Sequence, residues 1–245
     1  MYRYFNDYPF VKYYVIEGTS SGGAFWGAFW GAFFAFIFGL VTYRLTKKWD
    51  RYSQHKNSLV KLDNLLNRHL DEIAAVQFQA KDINGVLKQG KLSHARFRHF
   101  KLPKDLEMKF GSLDIANRYL AYSSSISRTN GDMESMNHAL TRFEDLLING
   151  QVLRKENLDL MADLLGKFEK FLQGLTNRAK ETLVMARLHM NRLKSKNSFT
   201  FGVLNSNWEL RFTPEEIRLE TERLDKEIEQ ITKQSKEEIE KTLNS

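Results

Sequence analysis

Apolar and charged positions divide the chain of 245 residues into one long uncharged run followed by several helical stripes. No residue from Gly18 to Tyr43 carries a charge, and a helix over its apolar centre, residues 23–41, would be about 29 Å long, close to the thickness of a bilayer core. The residues before it are rich in tyrosine and phenylalanine and lack the basic start and cleavage site of a signal peptide. The pattern therefore predicts a retained, single-pass transmembrane helix over residues 19–43.

Positive charges flank the uncharged run unequally, with only Arg3 and Lys12 before it and five cations closely after it. The positive-inside rule then predicts that residues 1–18 lie outside the cytoplasm and that the long C-terminal part is cytoplasmic, which places the protein in the inner membrane. Cations and aromatic residues just after the run are also candidate membrane anchors. These anchors are Arg44, Lys47, Lys48, Trp49 and Arg51.

A four-residue repeat inside the uncharged run separates small from large side chains. In a bilayer, rows of small residues let helix backbones approach closely, so the repeat predicts self-association. The candidate packing residues are Gly23, Gly27, Gly31, Ala35 and Gly39, with Ala24, Ala28 and Ala32, on the small side and Trp26, Trp30, Phe34 and Phe38 on the large side.

Two packing geometries follow from the repeat. Small face against small face produces a two-fold dimer, whereas small face against the aromatic face of a neighbour is a head-to-tail contact that generates closed rings. We favour a homo-oligomeric ring of four or more subunits, because it uses both faces. A pore inside such a ring would have no ionisable group in its wall and would be gated by dewetting. An oligomeric anchor without a lumen is the alternative.

Beyond the uncharged run, apolar residues recur at steps of three and four, which is typical of long amphipathic helices. With only three prolines, the sequence predicts an all-α, coiled-coil-like bundle in which the transmembrane helix continues as a stalk helix over residues 44–89. A basic helical domain over 90–211 and an acidic C-terminal helix over 212–245 follow. The longest stripe, from Leu158 to Leu193, is a heptad seam that needs an equally long partner.

Local signals predict where these elements are interrupted or begin. Asn-Gly dipeptides are typical of turns, and threonine followed by proline and then glutamate is typical of a capped helix start. The predicted features are breaks at Asn84-Gly85 and Asn130-Gly131, a weak strand-like alternation over 93–102, a small β-hairpin over 199–212, and a helix start with a capping box at Thr213, Pro214 and Glu216.

Charge is distributed unevenly along a chain whose formal net charge is +7, with +11 over residues 44–211 and −4 over residues 212–245. Two basic clusters could bind a polyanion such as a nucleotide or an oligonucleotide, with Phe97 and Phe100 as candidates for stacking on bases. Solvated helix faces, contact with the membrane surface and pairing with the acidic tail are the alternatives. The candidate anion-binding residues are Arg96, Arg98 and Lys101 in the first cluster and Arg178, Arg187, Arg192 and Lys194 in the second.

No motif for catalysis or for binding of a metal or cofactor accompanies these patterns. The absence of cysteine excludes disulfides, thiolate zinc sites and thiol nucleophiles. The sequence has neither an HExxH motif nor a glycine-rich phosphate loop, so we expect no catalytic residue, no cofactor and no metal site, and we do not expect an enzyme. His55, His69 and His189 fall on apolar stripes, where hydrogen-bonded interhelical histidines are expected.

The layout of a short outer segment, one span rich in small residues and a basic helical cytoplasmic domain resembles single-pass membrane effectors of bacterial anti-phage defence. Two such groups are the channel-forming effector of Hailong-type systems, which is paired with a nucleotidyltransferase, and the pore-forming accessory protein found beside Cas13b. The resemblance extends over the whole layout. It implies a homo-oligomer whose cytoplasmic helices hold the span closed until a ligand or a cytoplasmic defence-system partner is gained or lost.

The leading hypothesis is therefore a ligand- or partner-gated channel or pore in the inner membrane. A non-conducting tether that clusters a cytoplasmic partner at the membrane is the first alternative. Capture of nucleic acid at the membrane through the basic clusters is the second.

Overall fold

The computed structural model describes residues 21–89, 91, 94–102, 108–149, 155–195 and 210–243. Over these residues the protein is all-α, as the apolar periodicity predicts, and none of them lies in a strand. The chain divides into two compact units, Met1–Lys47 and Lys48–Ser245, and the second is called the helical unit below. The helices are α1 (Ser21–Lys88), α2 (Leu113–Ile148), α3 (Lys155–Ser195) and α4 (Pro214–Leu243).

Helix α1 is one unbroken helix of 68 residues that contains both the apolar run and the stripe after it. The predicted break at Asn84-Gly85 is wrong, because the fully buried side chains of Ile83 and Leu87 continue the apolar stripe across the dipeptide. A glycine inside a helix costs about 1 kcal/mol, which the burial of one such side chain outweighs. The helix ends at Lys88.

The core of the helical unit is formed by the apolar stripes of α1, α2 and α3. The heptad seam predicted along α3 is confirmed: its positions from Met161 to Leu193 are buried, and Leu158 is partly buried. Over positions 182–186 five consecutive side chains are buried. Because five residues complete more than one helical turn, α3 is enclosed on all sides there.

The predicted turn at Asn130-Gly131 is also wrong, because α2 runs through it without interruption. Ile126 and Met133 on either side are fully buried, so the apolar stripe is continuous. The side chain of Asn130 is directed to another part of the chain, where it bonds the backbone of Phe100. Asparagine favours turns because its side chain can hydrogen-bond the backbone of the turn itself. The side chain of Asn130 bonds Phe100 instead, so it does not stabilise a turn here.

Two asparagines of α2 hold the segment 94–102 through its backbone. Asn137 donates to the carbonyl oxygen of Phe97 at 2.9 Å and accepts from its N–H at 2.8 Å, and Asn130 makes the same pair of bonds with Phe100. Seven helical residues rise about 10.5 Å and three extended residues cover about 10 Å, so the two spacings match.

The strand-like alternation predicted over 93–102 is not found in residues 94–102, which belong to neither a helix nor a strand. Phe97 and Phe100 are buried three residues apart, whereas a strand would bury every second residue. The segment therefore takes its backbone partners from asparagine side chains, where a strand would take them from a neighbouring strand.

We expect Asn137→Ala to lower the free energy of unfolding of the helical unit by about 2 kcal/mol, because it leaves the N–H and C=O of Phe97 without partners. Urea unfolding followed by circular dichroism at 222 nm would measure it. Asn117→Ala is the matched control, since Asn117 is an exposed residue of the same helix. Equal stability of the two variants would contradict the backbone-clamping role of Asn137.

The predicted start of α4 is confirmed. The helix begins at Pro214, and the N–H of Glu216 bonds the hydroxyl oxygen of Thr213 at 3.2 Å. In return the carboxylate of Glu216 accepts from the N–H of Thr213 at 2.8 Å, which completes a capping box. The predicted hairpin over 199–212 lies outside the described residues except for its last three positions.

Candidate functional site

Helix α1 carries the candidate membrane segment. Among the described residues it is the one helix long and apolar enough to cross a membrane, and by length and composition it could span a bilayer. Every side chain from Gly23 to Lys47 is exposed. This surface is thus available for contact with lipid or with another chain.

The small rows of this segment are uncovered. Apart from the adjacent backbone of the helix itself, no atom of the described residues lies within 4 Å of a Cβ added at any of the four glycines. The rows therefore form a smooth strip that the backbone of a second helix could approach closely. The uncovered positions are Gly23, Gly27, Gly31 and Gly39 with Ala24, Ala28, Ala32 and Ala35.

The aromatic residues of the segment form a continuous series of ring contacts. From Phe25 to Phe34, neighbouring ring centroids lie 5.6–6.4 Å apart, mostly edge to face. Contacts of this kind add about 0.5–1.5 kcal/mol beyond burial. A partner helix would therefore meet an ordered ridge. The predicted packing residues Trp26, Trp30, Phe34 and Phe38 are exposed.

The predicted membrane anchors follow the apolar segment. In the first unit, the ammonium group of Lys47 lies 5.8 Å from the ring centroid of Tyr43. In the helical unit, the rings of Trp49 and Tyr52 have centroids 5.7 Å apart. Arg44, Lys47, Trp49 and Arg51 are exposed, and Lys48 is partly exposed.

The first basic cluster lies on the segment 94–102. Arg96 pairs with Glu144 of α2 and also donates to the hydroxyl of Thr141 at 3.3 Å. Arg98 and Lys101 have exposed side chains. Thus one of the three predicted anion ligands is held by α2, and the other two face solvent.

The structure contradicts the predicted stacking role of Phe97 and Phe100. Their side chains are only 3% and 4% exposed, and the ring of Phe97 packs on Phe168 of α3 with centroids 5.2 Å apart. Because the asparagine bonds hold the backbone of this segment against α2, the two rings point into the core. They offer no surface to a nucleic-acid base.

The second basic cluster centres on Arg187, which joins three helices. Its guanidinium donates to Asp63 of α1 at 3.0 Å, to Glu227 of α4 at 2.6 Å and to Asn67 of α1 at 3.4 Å. The Arg187 side chain is only 14% exposed. Burial lowers its pKa, but the hydrogen bonds that Arg187 donates to Glu227 and Asp63, with the negative charges of these acids, more than offset this, and the net pKa is raised. The hydrogen bond from Arg187 in turn lowers the pKa of Glu227.

Helix α4 supplies acids to two further cations of α3. Lys180 donates to Asp225 at 2.6 Å, and Arg192 donates to Glu216 at 2.7 Å. The guanidinium of Arg192 also lies 5.6 Å from the ring centroid of Phe212. Arg187 and Arg192 are therefore paired with acids of the C-terminal helix, which is one of the alternatives predicted for this cluster.

The remaining members of the second cluster differ in their surroundings. Arg178 donates to the hydroxyl of Ser125 on α2, and Lys194 is exposed. The predicted row of cations is consequently divided between contacts to α2, contacts to α4 and solvent.

Three buried histidines join α1 to its neighbours. The Nε2–H of His69 donates to the carbonyl oxygen of Lys101 at 3.2 Å, so its Nδ1 accepts from the hydroxyl of Tyr122 at 2.9 Å. The Nδ1 of His55 accepts from the N–H of Gly111 at 3.0 Å, and its ring lies 6.2 Å from that of His189. These contacts agree with the interhelical role expected for histidines on apolar stripes.

Burial disfavours the charged form of the two histidines of α1. Desolvation, together with the nearby His189, lowers the pKa of His55 to about 4. Desolvation also lowers the pKa of His69. Within the described residues, no group of three or more histidine, aspartate or glutamate side chains could hold a metal ion.

The sequence patterns did not identify the residues that organise these contacts. Asp63 and Asn67 lie one helical turn apart beside the apolar stripe of α1. In the sequence, they look the same as polar residues on a solvent-exposed helix face. Asn130 and Asn137, in contrast, are seven residues apart on one helix face. That heptad spacing was a readable signal for a shared partner.

Comparison with protein-family models, with curated proteins and with solved structures finds no match for this chain.

Proposed function

We propose that this protein is a homo-oligomeric membrane effector whose α1 segments pack through their small and aromatic rows into a gated channel or pore. The uncovered surface of residues 23–47 carries this proposal. Large rings exposed on one helix are costly in water, and a bilayer removes this cost, while the glycine and alanine rows allow neighbouring subunits to pack closely. Because both faces repeat at the same spacing, a head-to-tail ring of four or more subunits uses the whole surface.

The charges around α1 support a single orientation. Arg44, Lys47, Lys48 and Arg51 follow the apolar segment, and cations at this place favour the cytoplasmic side of the inner membrane. The helical unit then lies in the cytoplasm, where a ligand or a partner protein could control the assembly. The resemblance in layout to anti-phage membrane effectors supports a role in defence.

The wall of such a pore would contain no ionisable side chain between Gly23 and Tyr43. Opening then means wetting of a hydrophobic constriction, which a small separation or rotation of the helices can produce. A charged filter is not part of this proposal, so we expect weak selectivity among small ions.

A recording experiment tests the channel. Purified full-length protein would be reconstituted into planar bilayers of phosphatidylethanolamine and phosphatidylglycerol, and the mass of the detergent particle would be measured by light scattering. We expect a particle of at least four subunits and discrete conductance steps. An oligomer that never conducts would favour the non-conducting tether, and a monomer would contradict both.

Capture of nucleic acid through the predicted clusters has less support. Arg187 and Arg192 are already paired with acids of α4, and Phe97 and Phe100 are buried. A nucleic acid could reach the exposed Arg98, Lys101 and Lys194, but it would have to displace α4 to reach Arg187 and Arg192 and would still lack the predicted aromatic platform.

A further inference from the structure

We infer that the face of α3 beneath α4 is a docking groove for acidic amphipathic helices, and that α4 is the occupant supplied by the chain itself. A partner protein that presents such a helix would bind there in competition with α4. The inference concerns the helical unit and is independent of the proposed membrane function.

The groove combines cations with apolar side chains. Lys180, Arg187 and Arg192 each pair with an acid of α4. Val184 and Met185 lie among them and are buried, beside Lys180 and the α4 residues of the same interface. A row of cations interleaved with apolar positions fits a helix that carries acids and apolar anchors together.

Helix α4 has the complementary pattern. Leu224 is 1% exposed, and Ile217 and Ile228 are partly buried against the core. The steps of seven and four residues between these anchors place them on one face of the helix. The acids Glu216, Asp225 and Glu227 border that face.

The contacts that hold α4 are suited to reversible docking. Asp225 remains 53% exposed, and an ion pair in such a position is worth about 0.2–1 kcal/mol and is screened by salt. Glu227 is 46% exposed, so solvent also reaches its pair with Arg187. Among the described side chains of α4, Leu224 is the one apolar side chain that is fully buried. Burial of one leucine contributes about 1.5–3 kcal/mol.

The helix also leaves part of its groove unfilled. A cavity of about 270 Å³ lies between α1, α3 and α4. Its walls include Asn67 and Gln77 of α1, Thr176 of α3 and Ile228 of α4. The cavity is partly open to solvent, so an incoming helix could place a side chain in it.

An acidic helix fits this groove better than a nucleic acid does. The phosphate backbone could replace the carboxylates, but it has no apolar side chain to occupy the place of Leu224. The groove would then expose buried apolar surface when α4 leaves, at a cost that charge alone must offset.

The test uses a fluorescein-labelled synthetic peptide of residues 213–230 as the added helix, with binding to the full-length protein measured by fluorescence anisotropy. In the variant Asp225→Lys/Glu227→Lys, α4 loses two of its ion pairs and should vacate the groove. We expect this variant to bind the peptide about tenfold more tightly than the wild type, and 0.5 M NaCl to weaken that binding. The matched control Glu222→Lys/Glu229→Lys makes the same charge change at exposed positions of α4 and should bind as the wild type does.

A charge exchange locates the peptide on α3. Adding Lys180→Glu to the neutral variant Asp225→Asn/Glu227→Gln, in which α4 cannot rebuild the ion pair, should weaken binding several-fold, and a peptide carrying Asp225→Lys should recover it. Circular dichroism checks that each variant is folded, and Asp225→Asn/Glu227→Gln serves as the milder release variant. Equal binding to wild type, release and control variants would overturn the inference. Equal displacement of the peptide by a single-stranded oligonucleotide of the same net charge would also overturn it.

Discussion

Replacing Gly27 by isoleucine should break the detergent-solubilised oligomer into smaller particles while the helical unit stays folded. Among the described residues, no atom outside the adjacent helix backbone lies within 4 Å of a Cβ added at Gly27, so a side chain there has open space within one subunit. Between subunits it would force apart two helix backbones, and overpacking of this kind costs about 1–3 kcal/mol per contact. A subunit that closes a ring makes two such contacts, so its association constant should fall by about thirtyfold or more.

Light scattering of the purified particle measures this effect, and circular dichroism checks that helix content is retained. Leu40→Ile is the matched control, because it places the same side chain in the same segment without filling the glycine row. If Gly27→Ile left the particle mass unchanged, the small row would not be a packing surface, and the ring proposal would have to be abandoned.

Acidification should destabilise the helical unit through His55. Its folded pKa of about 4 lies below the ordinary value of 6.5, because burial and His189 disfavour the charged ring. Above pH 6.5 the ring is neutral in both states. Between pH 6.5 and 4 the unfolded chain binds a proton that the folded chain excludes, so the free energy of unfolding falls as the pH falls, by about 1.4 kcal/mol at pH 5.5 and about 3 kcal/mol by pH 4.

The hydrogen bond at His55 gives this prediction a structural check. Its Nδ1 accepts from the N–H of Gly111. If Nδ1 were protonated, the N–H of Gly111 would face a second N–H donor and would lose its acceptor. His55→Asn keeps an acceptor near that position but cannot be charged, so it should flatten the pH dependence while lowering stability at neutral pH. Urea unfolding at pH 7.5, 6.5, 5.5 and 4.5 measures both effects.

His138→Asn is the control for this series, because the His138 side chain is 76% exposed. It should leave the pH dependence as it is in the wild type. His69, whose pKa is also lowered by burial, contributes in the same direction and stays present in both variants. A His55→Asn profile as steep as that of the wild type would show that His55 is not the titrating group.

The helices could be predicted where a signal repeats along one segment. The seam of α3 continues at alternating steps of three and four residues from Leu158 to Leu193, and the capping box at Thr213 and Glu216 uses residues three apart, so neither depends on distant parts of the chain. The predictions at Asn84-Gly85 and Asn130-Gly131 failed because the dipeptide is a weak local preference, which a continuous buried stripe on both sides overrides.

The candidate sites also differ in whether they depend on one helix or on contacts between distant parts of the chain. The rows around Gly27 could be predicted from spacing, because they lie on one uninterrupted helix whose side chains are exposed. The basic clusters could not be interpreted from spacing. Arg187 meets Asp63 and Glu227, which are 124 and 40 residues away, and only the folded chain shows that its charge is already neutralised.

Hydropathy and periodicity were therefore sufficient for the all-α architecture, for the apolar segment that could span a membrane and for its smooth and bulky faces, because each is a property of a single helix. Tertiary structure alone decided that Phe97 and Phe100 are core residues, that Asn130 and Asn137 bind backbone, and that α4 covers the cations of α3. These outcomes depend on which groups come into contact after folding. The charge or the aromatic ring of a side chain does not by itself indicate which group it will contact.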